Sequence, residues 1–372
     1  MKHLYSRLTS NRQLLTYLVL FNVAFMMTFG MFFPNDARVI SNSFHTAPSG
    51  AIAEDVLQDK VGKIIHLGQE FTLSSTWYDQ INYMRMANGE EADAPFKYRL
   101  LYPNIVRLMI GMEDFLFNKI SFYQSLDRYR KAQLNFWVLN FISLLLGAFF
   151  LKKLLNCFTK DHELIMLLLV LFLTQYGVLF TATFAMIDVF SYMLFCVFLY
   201  LLVNRQWLTC SFLLVVMSLS KEAFVICTPA LLAMYLETKQ KALIGLSVIP
   251  VTVFVMIRLT MGESAVSVEN NWNVMEGKFE LKYLSMHLGS ISGFTKQLVG
   301  IVLAYGITVI YLPRIFVLKR FGMLYFSITF SSLLLLAQLI LSIQISRVLA
   351  LALPLWLMVI AINFVKIKKV KT

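Results

Sequence analysis

The polar residues of this chain that could carry chemistry are few, and they interrupt long apolar segments. Lys221 and Glu222 are adjacent charges between two apolar stretches, while Asp79, Tyr83 and Ala87 recur every four residues, which places them on one helix face. Carboxylates of this kind can accept a proton from a hydroxyl group, and basic side chains can hold an anion such as a phosphate. Ionisable residues at membrane depth are functional candidates because burying them in a bilayer is costly.

The composition indicates what kind of protein must position these residues. Of the 372 residues 58% are hydrophobic and only 15% are charged, and the mean hydropathy is +0.69. A soluble domain is about half apolar and about a quarter charged. The apolar residues fall in blocks close to the roughly 20 residues that cross a bilayer as a helix. The sequence therefore predicts an all-α, polytopic transmembrane protein that forms a single integral membrane domain over residues 1–372.

Hydropathy predicts about ten spans, and basic residues predict their orientation. The spans at 208–220 and 223–236 are short, so this pair is either two tilted spans or a re-entrant hairpin. With the N-terminus in the cytoplasm, the inner segments hold sixteen Lys and Arg against three Asp and Glu. Both termini are therefore predicted to be cytoplasmic. The predicted spans are 13–33, 133–151, 164–181, 187–203, 208–220, 223–236, 242–259, 297–313, 321–344 and 348–365.

This topology places two long loops, 34–132 and 260–296, on the outer side of the membrane. Loops of this length are uncommon unless they are functional. Within the first loop, residues 67–88 have helical character, and residues 98–117 are apolar but carry four charges. Such charges would each cost about 2.5–3.5 kcal/mol at the bilayer midplane. One or two amphipathic juxtamembrane helices are therefore predicted here, without a further span.

Several outer-side segments resemble motifs of the GT-C glycosyltransferases. The segment 77–87 resembles the D-[EQ]-x-x-Y-x-x-x-A element that this superfamily carries in its first extracytoplasmic loop. The segment 95–103 is similar to a P-F-x-Y-R-x-L-x-P stretch of bacterial GT-C-like membrane proteins, and 218–223 to their L-x-K-E-x segment. The pairs Ile187-Asp188 and Ser346-Arg347, with Pro354, fit the same pattern, so the resemblance covers most of the chain in order.

The resemblance implies transfer of a sugar from a polyprenyl-phosphate donor to a glycan or lipid-linked acceptor at the outer face of the cytoplasmic membrane, with inversion. The catalytic base would be Asp79 or Asp36. Asp79 lies in the motif but about 45 residues beyond the first predicted span, whereas Asp36 follows that span directly. The second position of the motif is Gln80 and not an acidic residue. The implied substrate contacts are Tyr83, Tyr98, Arg99, Asp188, Lys221, Glu222, Arg258 and Arg347.

Structural alternatives stay open for several of these residues. Arg99, Arg258 and Arg347 would also suit anchoring at the membrane interface, and Lys221 and Glu222 would suit a pair with each other. The five histidines have no metal-ligand spacing, so no metal site is assigned, although a divalent metal held by carboxylates stays open as a cofactor. The basic residues are spread over short loops, which predicts no nucleic-acid partner.

Two further functions remain as alternatives to the GT-C enzyme. A polysaccharide polymerase that joins lipid-diphosphate-linked repeat units would rely on Arg99, Arg258 and Arg347. A transporter or flippase would show internal repeats and ionisable groups at the midplane. The sequence has no such repeat, and its charges collect on one side, so the transporter ranks below both enzymes.

Overall fold

The structure is a computed structural model that describes part of the chain. The described residues are 63–66, 69–72, 82–90, 92, 98–117, 119–124, 126, 128–182, 186–261, 295, 306–341 and 349–370. The predicted first span 13–33 and nearly all of the predicted second outer loop 260–296 lie outside them. So do Asp36, Asp79 and Arg347, whose predicted roles stay predictions.

Helices make up most of the described chain, as the sequence predicts. The α-helices are α1 Leu101–Phe117, α2 Ser121–Gln124, α3 Arg128–Asn156, α4 His162–Thr174, α5 Tyr176–Ala182, α6 Asp188–Val203, α7 Trp207–Ser220, α8 Cys227–Thr238, α9 Ala242–Met261, α10 Leu324–Leu341 and α11 Leu353–Val370. Three 3-10 segments, Glu222–Ile226, Gly306–Phe321 and Ala350–Ala352, complete the helical elements, and residues 82–87 form a further helical segment.

One short sheet departs from the all-α prediction. Strands β1 Lys63–His66 and β2 Gln69–Thr72 pair antiparallel, with Ile64 opposite Phe71. The helical character predicted for residues 67–88 is therefore wrong over 69–72. The two strands carry β-branched and aromatic residues, which favour extended backbone over helix.

The predicted span 164–181 is not one helix, because α4 ends at Thr174 and α5 begins at Tyr176. Gln175 between them has an extended backbone (φ −63°, ψ 135°), and its Oε1 accepts a hydrogen bond of 2.8 Å from the backbone N–H of Val178. The glutamine side chain thus caps the start of α5 and stabilises the break. Hydropathy does not detect it, because both helices are apolar.

The predicted ends of two other spans, 297–313 and 348–365, are also wrong. The 3-10 segment Gly306–Phe321 continues through residues 314–320, where a cytoplasmic loop was predicted, and α11 continues to Val370, five residues past the predicted end. Both extensions consist of basic and apolar residues that remain compatible with helical backbone after the hydropathy has fallen. Hydropathy reports where a segment is apolar and not where its backbone hydrogen bonds end.

The helices pack side by side around an aromatic core. α3 packs on α6, α6 on α7, α7 on α9, and α8 on both α9 and α10. Gly147 of α3 faces α6, where a Cβ would lie 3.4 Å from the Cα of Met193, an ordinary van der Waals contact. At the centre Phe195 of α6 stacks on Phe330 of α10, with ring centroids 4.6 Å apart. Helix α1 lies on α3, at the edge of this bundle.

Two helices of the described chain are long and apolar enough to cross a membrane, the stretch Lys131–Asn156 of α3 and α9. Five shorter apolar helices accompany them. Only 44% and 28% of the apolar windows of these two helices are buried, whereas a core helix of a soluble protein would be mostly buried. Helix α3 instead presents an apolar stripe outward, formed by Leu134, Val138, Ile142, Leu146 and Phe149.

Candidate functional site

The hairpin of α6 and α7 brings two predicted site residues to one end. Helix α6 begins at Asp188, and α7 ends at Ser220, directly before Lys221. Since only residues 204–206 connect the two helices, they run antiparallel and pack on each other. The start of α6 therefore lies beside the end of α7, although 33 positions separate Asp188 from Lys221.

Asp188 and Lys221 form a buried ion pair. The Nζ of Lys221 donates a hydrogen bond to Oδ1 of Asp188, and their side chains are only 5% and 2% exposed. A carboxylate in the first turn of a helix and an ammonium group at the end of one are each favoured by the helix dipole. Because each charge neutralises the other where water is scarce, the pair ties the two helix ends together.

Glu222 pairs with Arg99 of the first predicted outer loop. The Nε of Arg99 donates a hydrogen bond of 2.7 Å to Oε2, and its Nη2 donates to Oε1, which makes the contact bidentate. The Nη1 of the same guanidinium donates to the hydroxyl oxygen of Tyr83. Burial alone would raise the pKa of the Glu222 carboxyl, but the charge and hydrogen bonds of Arg99, with a smaller effect of Lys221, lower the pKa below its usual value.

Arg258 approaches the same segment from α9. Its Cζ lies 3.8 Å from the ring centroid of Tyr98 and 5.1 Å from that of Phe254. Tyr98 immediately precedes Arg99, so Arg258 contacts the residue next to Arg99. Arg258 is partly exposed, whereas the Tyr98 side chain is buried.

A small apolar cluster beside α3 holds this stretch in place. Tyr83 and Ala87, which share one helix face in the sequence motif, are both 1% exposed and pack with Tyr102 and Phe136. The hydroxyl of Tyr102 donates a hydrogen bond of 2.7 Å to the buried Oδ1 of Asn140 in α3. The ring of Tyr83 therefore has no open face for stacking on a sugar. Arg99 contacts this tyrosine both at its hydroxyl and over its ring, with Cζ 5.9 Å from the ring centroid.

The far end of α1 is fixed by polar contacts to the start of α3. Lys131 Nζ donates a hydrogen bond of 2.7 Å to Oδ1 of Asp114, and the hydroxyl of Tyr123 donates one of 3.0 Å to the same oxygen. The bond from Lys131 is the main reason why the pKa of Asp114 is lowered. Glu113 accepts a 2.7 Å bond from Nδ2 of Asn135. The helix predicted over 98–117 is confirmed at 101–117.

The opposite face of α1 is apolar and open. It forms a groove of about 670 Å³, with Asn104 and Arg107 near one end. Four of its large apolar side chains are exposed, namely Leu108, Met112, Phe115 and Leu116. One face of α1 is thus packed and paired, and among the described residues the other face is apolar and exposed. This is the amphipathic pattern of a helix that lies at a membrane surface.

Seven of the ten predicted site residues lie together in the structure. They come from five separate segments of the chain and are Tyr83, Tyr98, Arg99, Asp188, Lys221, Glu222 and Arg258. The suggestion that Lys221 and Glu222 pair with each other is not what the structure shows, because each pairs with a different segment. Asp188, which the resemblance implies as a substrate contact, pairs with Lys221.

Sequence reasoning missed the two residues that dock this segment, Tyr102 and Asn140. The sequence carries a signal that could have pointed to each of these two residues. Tyr102 lies within the segment 95–103 that carries the resemblance, and Asn140 is an amide in the middle of an apolar span. A buried amide needs a hydrogen-bond partner, but the sequence does not say where along the chain that partner is.

The chemistry of the described site is that of cations held by a rigid frame. The Asp188 carboxylate is buried and paired with Lys221, and the Glu222 carboxylate is partly exposed but bound by Arg99. Neither carboxylate is therefore free to accept a proton from a bound substrate. Among the residues that the structure describes, no cluster of three or more His, Cys, Asp or Glu could hold a metal ion. Comparison with protein-family models, curated proteins and solved structures found no match for this chain.

Proposed function

We propose that the chain is a multi-pass protein of the cytoplasmic membrane. The apolar stripes on α3 and α9 support this, because soluble proteins rarely expose large contiguous apolar patches. On α9 the exposed apolar residues run along most of its length and include Ile244, Val248, Val255 and Leu259. About ten spans with both termini in the cytoplasm would leave the paired charges at the outer surface.

We further propose that the protein is a GT-C-like glycosyltransferase that acts at that outer surface. The single observation that carries this proposal is the gathering of Tyr83, Arg99, Asp188, Lys221 and Glu222 by contacts between distant segments. Four of the segments that fit the GT-C pattern meet at this point, namely 77–87, 95–103, 187–188 and 218–223. A frame of compensated charges beside an apolar surface suits a reaction whose donor keeps its tail in the bilayer.

In the proposed reaction the hydroxyl oxygen of an acceptor attacks the anomeric carbon of the sugar on a polyprenyl-phosphate donor. The bond between that carbon and the phosphate oxygen breaks, and polyprenyl phosphate leaves with the electron pair. Asp79 or Asp36 takes the hydroxyl proton, a contribution of roughly 10²- to 10⁴-fold in rate. Cations near the phosphate stabilise the charge that develops on it.

One observation favours a second candidate, the polymerase of lipid-diphosphate-linked repeat units. Arg258 stacks on Tyr98, the residue directly before Arg99, so two of the arginines on which that reading relies meet at the segment 98–99. A diphosphate would present two phosphate groups to the two guanidinium groups. The nature of the donor therefore separates the two functions.

The test uses the purified protein in liposomes with two kinds of donor. Polyprenyl-monophosphate sugars and polyprenyl-diphosphate repeat units are supplied separately. Sugar transfer to glycan or lipid-linked acceptors extracted from membranes is followed by mass spectrometry. Transfer from the monophosphate donor supports the glycosyltransferase, transfer from the diphosphate donor alone supports the polymerase, and transfer from neither refutes both.

The base is tested with Asp79→Asn, Asp36→Asn and the double variant. Removing the base should lower the rate about 10²-fold or more. Asp114→Asn is the matched control, because Asp114 belongs to the same loop but pairs with Lys131. If the double variant transferred sugar as fast as this control, neither aspartate would be the base.

A further inference from the structure

The three cations of the described site differ in what neutralises them. Arg99 donates to Glu222 and Tyr83, and Lys221 donates to Asp188. Arg258 contacts two aromatic rings instead. Among the residues that the structure describes, its guanidinium group forms no ion pair and no hydrogen bond. One positive charge of the site thus lacks a compensating anion there.

This difference decides which cation can receive an incoming anion. At Arg99 a phosphate would have to displace a bidentate carboxylate, and the displaced Glu222 would then repel it. At Lys221 a phosphate would have to enter a pair that is almost fully buried. Aromatic rings attract the guanidinium charge but accept none of its five N–H bonds, so Arg258 keeps its whole hydrogen-bonding capacity.

The position of Arg258 also limits what kind of anion can reach it. It lies in the last turn of α9, three residues before the helix ends. Its neighbours Val255, Met256 and Leu259 are 45%, 59% and 78% exposed. An apolar chain can therefore lie against α9 while a polar head reaches the guanidinium. A free anion would gain nothing from these apolar neighbours.

We propose that Arg258, stacked on Tyr98, is the receptor for the phosphate of a lipid phosphate whose tail lies along α9. This rests on the proposed glycosyltransferase function, which supplies the polyprenyl phosphate, but it assigns the phosphate to one residue. Arg99 and Lys221 are then positioning residues that hold the segment carrying Tyr98 and the end of α7. As the sugar leaves, a second negative charge develops on the phosphate, and the N–H donors of Arg258 stabilise it.

The test measures binding directly, without sugar transfer. The purified protein in detergent micelles is titrated with polyprenyl phosphate, with the uncharged polyprenol, and with inorganic phosphate as a competitor. Arg258→Gln should weaken binding of polyprenyl phosphate about 10- to 100-fold, the effect of losing a charge-assisted bidentate contact. Polyprenol binding should not change, since the tail contacts remain.

Matched variants separate this role from a general loss of positive charge. Arg107→Gln removes an exposed arginine from α1 and should change the dissociation constant less than twofold. Arg258→Lys should recover part of the affinity, and Tyr98→Phe should retain nearly all of it because the ring remains. Circular dichroism on each variant identifies any that fails to fold, in which case Arg258→Lys provides the comparison.

Three results would overturn the proposal. The first is an Arg258→Gln protein that binds polyprenyl phosphate as tightly as the wild type. The second is an equal loss in Arg107→Gln, which would indicate unspecific charge attraction. The third is displacement by inorganic phosphate at equal concentration, which would indicate a free anion as the ligand. If binding depends on Arg258 but no donor supports sugar transfer, the proposed function alone fails.

Discussion

The buried pair of Asp188 and Lys221 gives the sharpest prediction about stability. Lys221→Met removes the ammonium group and leaves the Asp188 carboxylate, whose side chain is 2% exposed, without its counter-charge. Removing one partner of a buried ion pair costs about 3–5 kcal/mol, because the remaining charge is still desolvated. The variant is therefore expected to lose about that much of its free energy of unfolding.

The chain provides a matched control in a second Lys–Asp pair. Lys131 and Asp114 form an ion pair with a nitrogen–oxygen distance of 2.7 Å, but their side chains are 14% and 47% exposed. Exposed pairs of this kind contribute about 0–1 kcal/mol. Lys131→Met makes the same chemical change as Lys221→Met and should cost several-fold less.

Unfolding in mixed micelles of a mild detergent and sodium dodecyl sulphate, followed by tryptophan fluorescence, measures both losses. The double variant Asp188→Asn/Lys221→Met completes the cycle and should recover most of the loss, since replacing both partners of a buried pair is often nearly neutral. The reasoning is refuted if Lys221→Met costs no more than Lys131→Met, or if the double variant is as unstable as the single one.

Three further predictions concern pH and backbone. Arg99 lowers the pKa of Glu222 below 4.5, so the stability from this pair is fully present above about pH 4.5 and is lost as the pH falls through the folded pKa. The free energy of unfolding, measured from about pH 6 to pH 3, should therefore fall more in the wild type than in Glu222→Gln. Equal losses in the two proteins would contradict the pairing. Gly322→Ala should cost about 1–2 kcal/mol or more in the same unfolding assay, because φ is +64° and the new Cβ would lie 2.5 Å from Cγ2 of Thr238. Gly111→Ala meets no atom within 4 Å in α1 and should stabilise by about 0.5–1 kcal/mol, and a loss there would indicate that this face of the helix is occupied.

The apolar character of the helices could be predicted because it depends only on local composition. The bounds of α6 and α7 agree with the predicted spans to within one residue, since both helices begin and end where the hydropathy changes. The break at Gln175 could not be predicted in this way. It depends on one side chain that caps the next helix, and a glutamine in an apolar run is equally compatible with an unbroken helix.

The sequence by itself determined which residue types interrupt the apolar chain, and the apolar pattern predicted that Lys221 and Glu222 stand between two helices. It did not determine how they pair. Adjacent residues at a helix end point in different directions, so Lys221 meets Asp188 and Glu222 meets Arg99. Only the packing of α6, α7 and the segment before α1 decided these partners, because such contacts depend on distances in space between residues far apart in the chain.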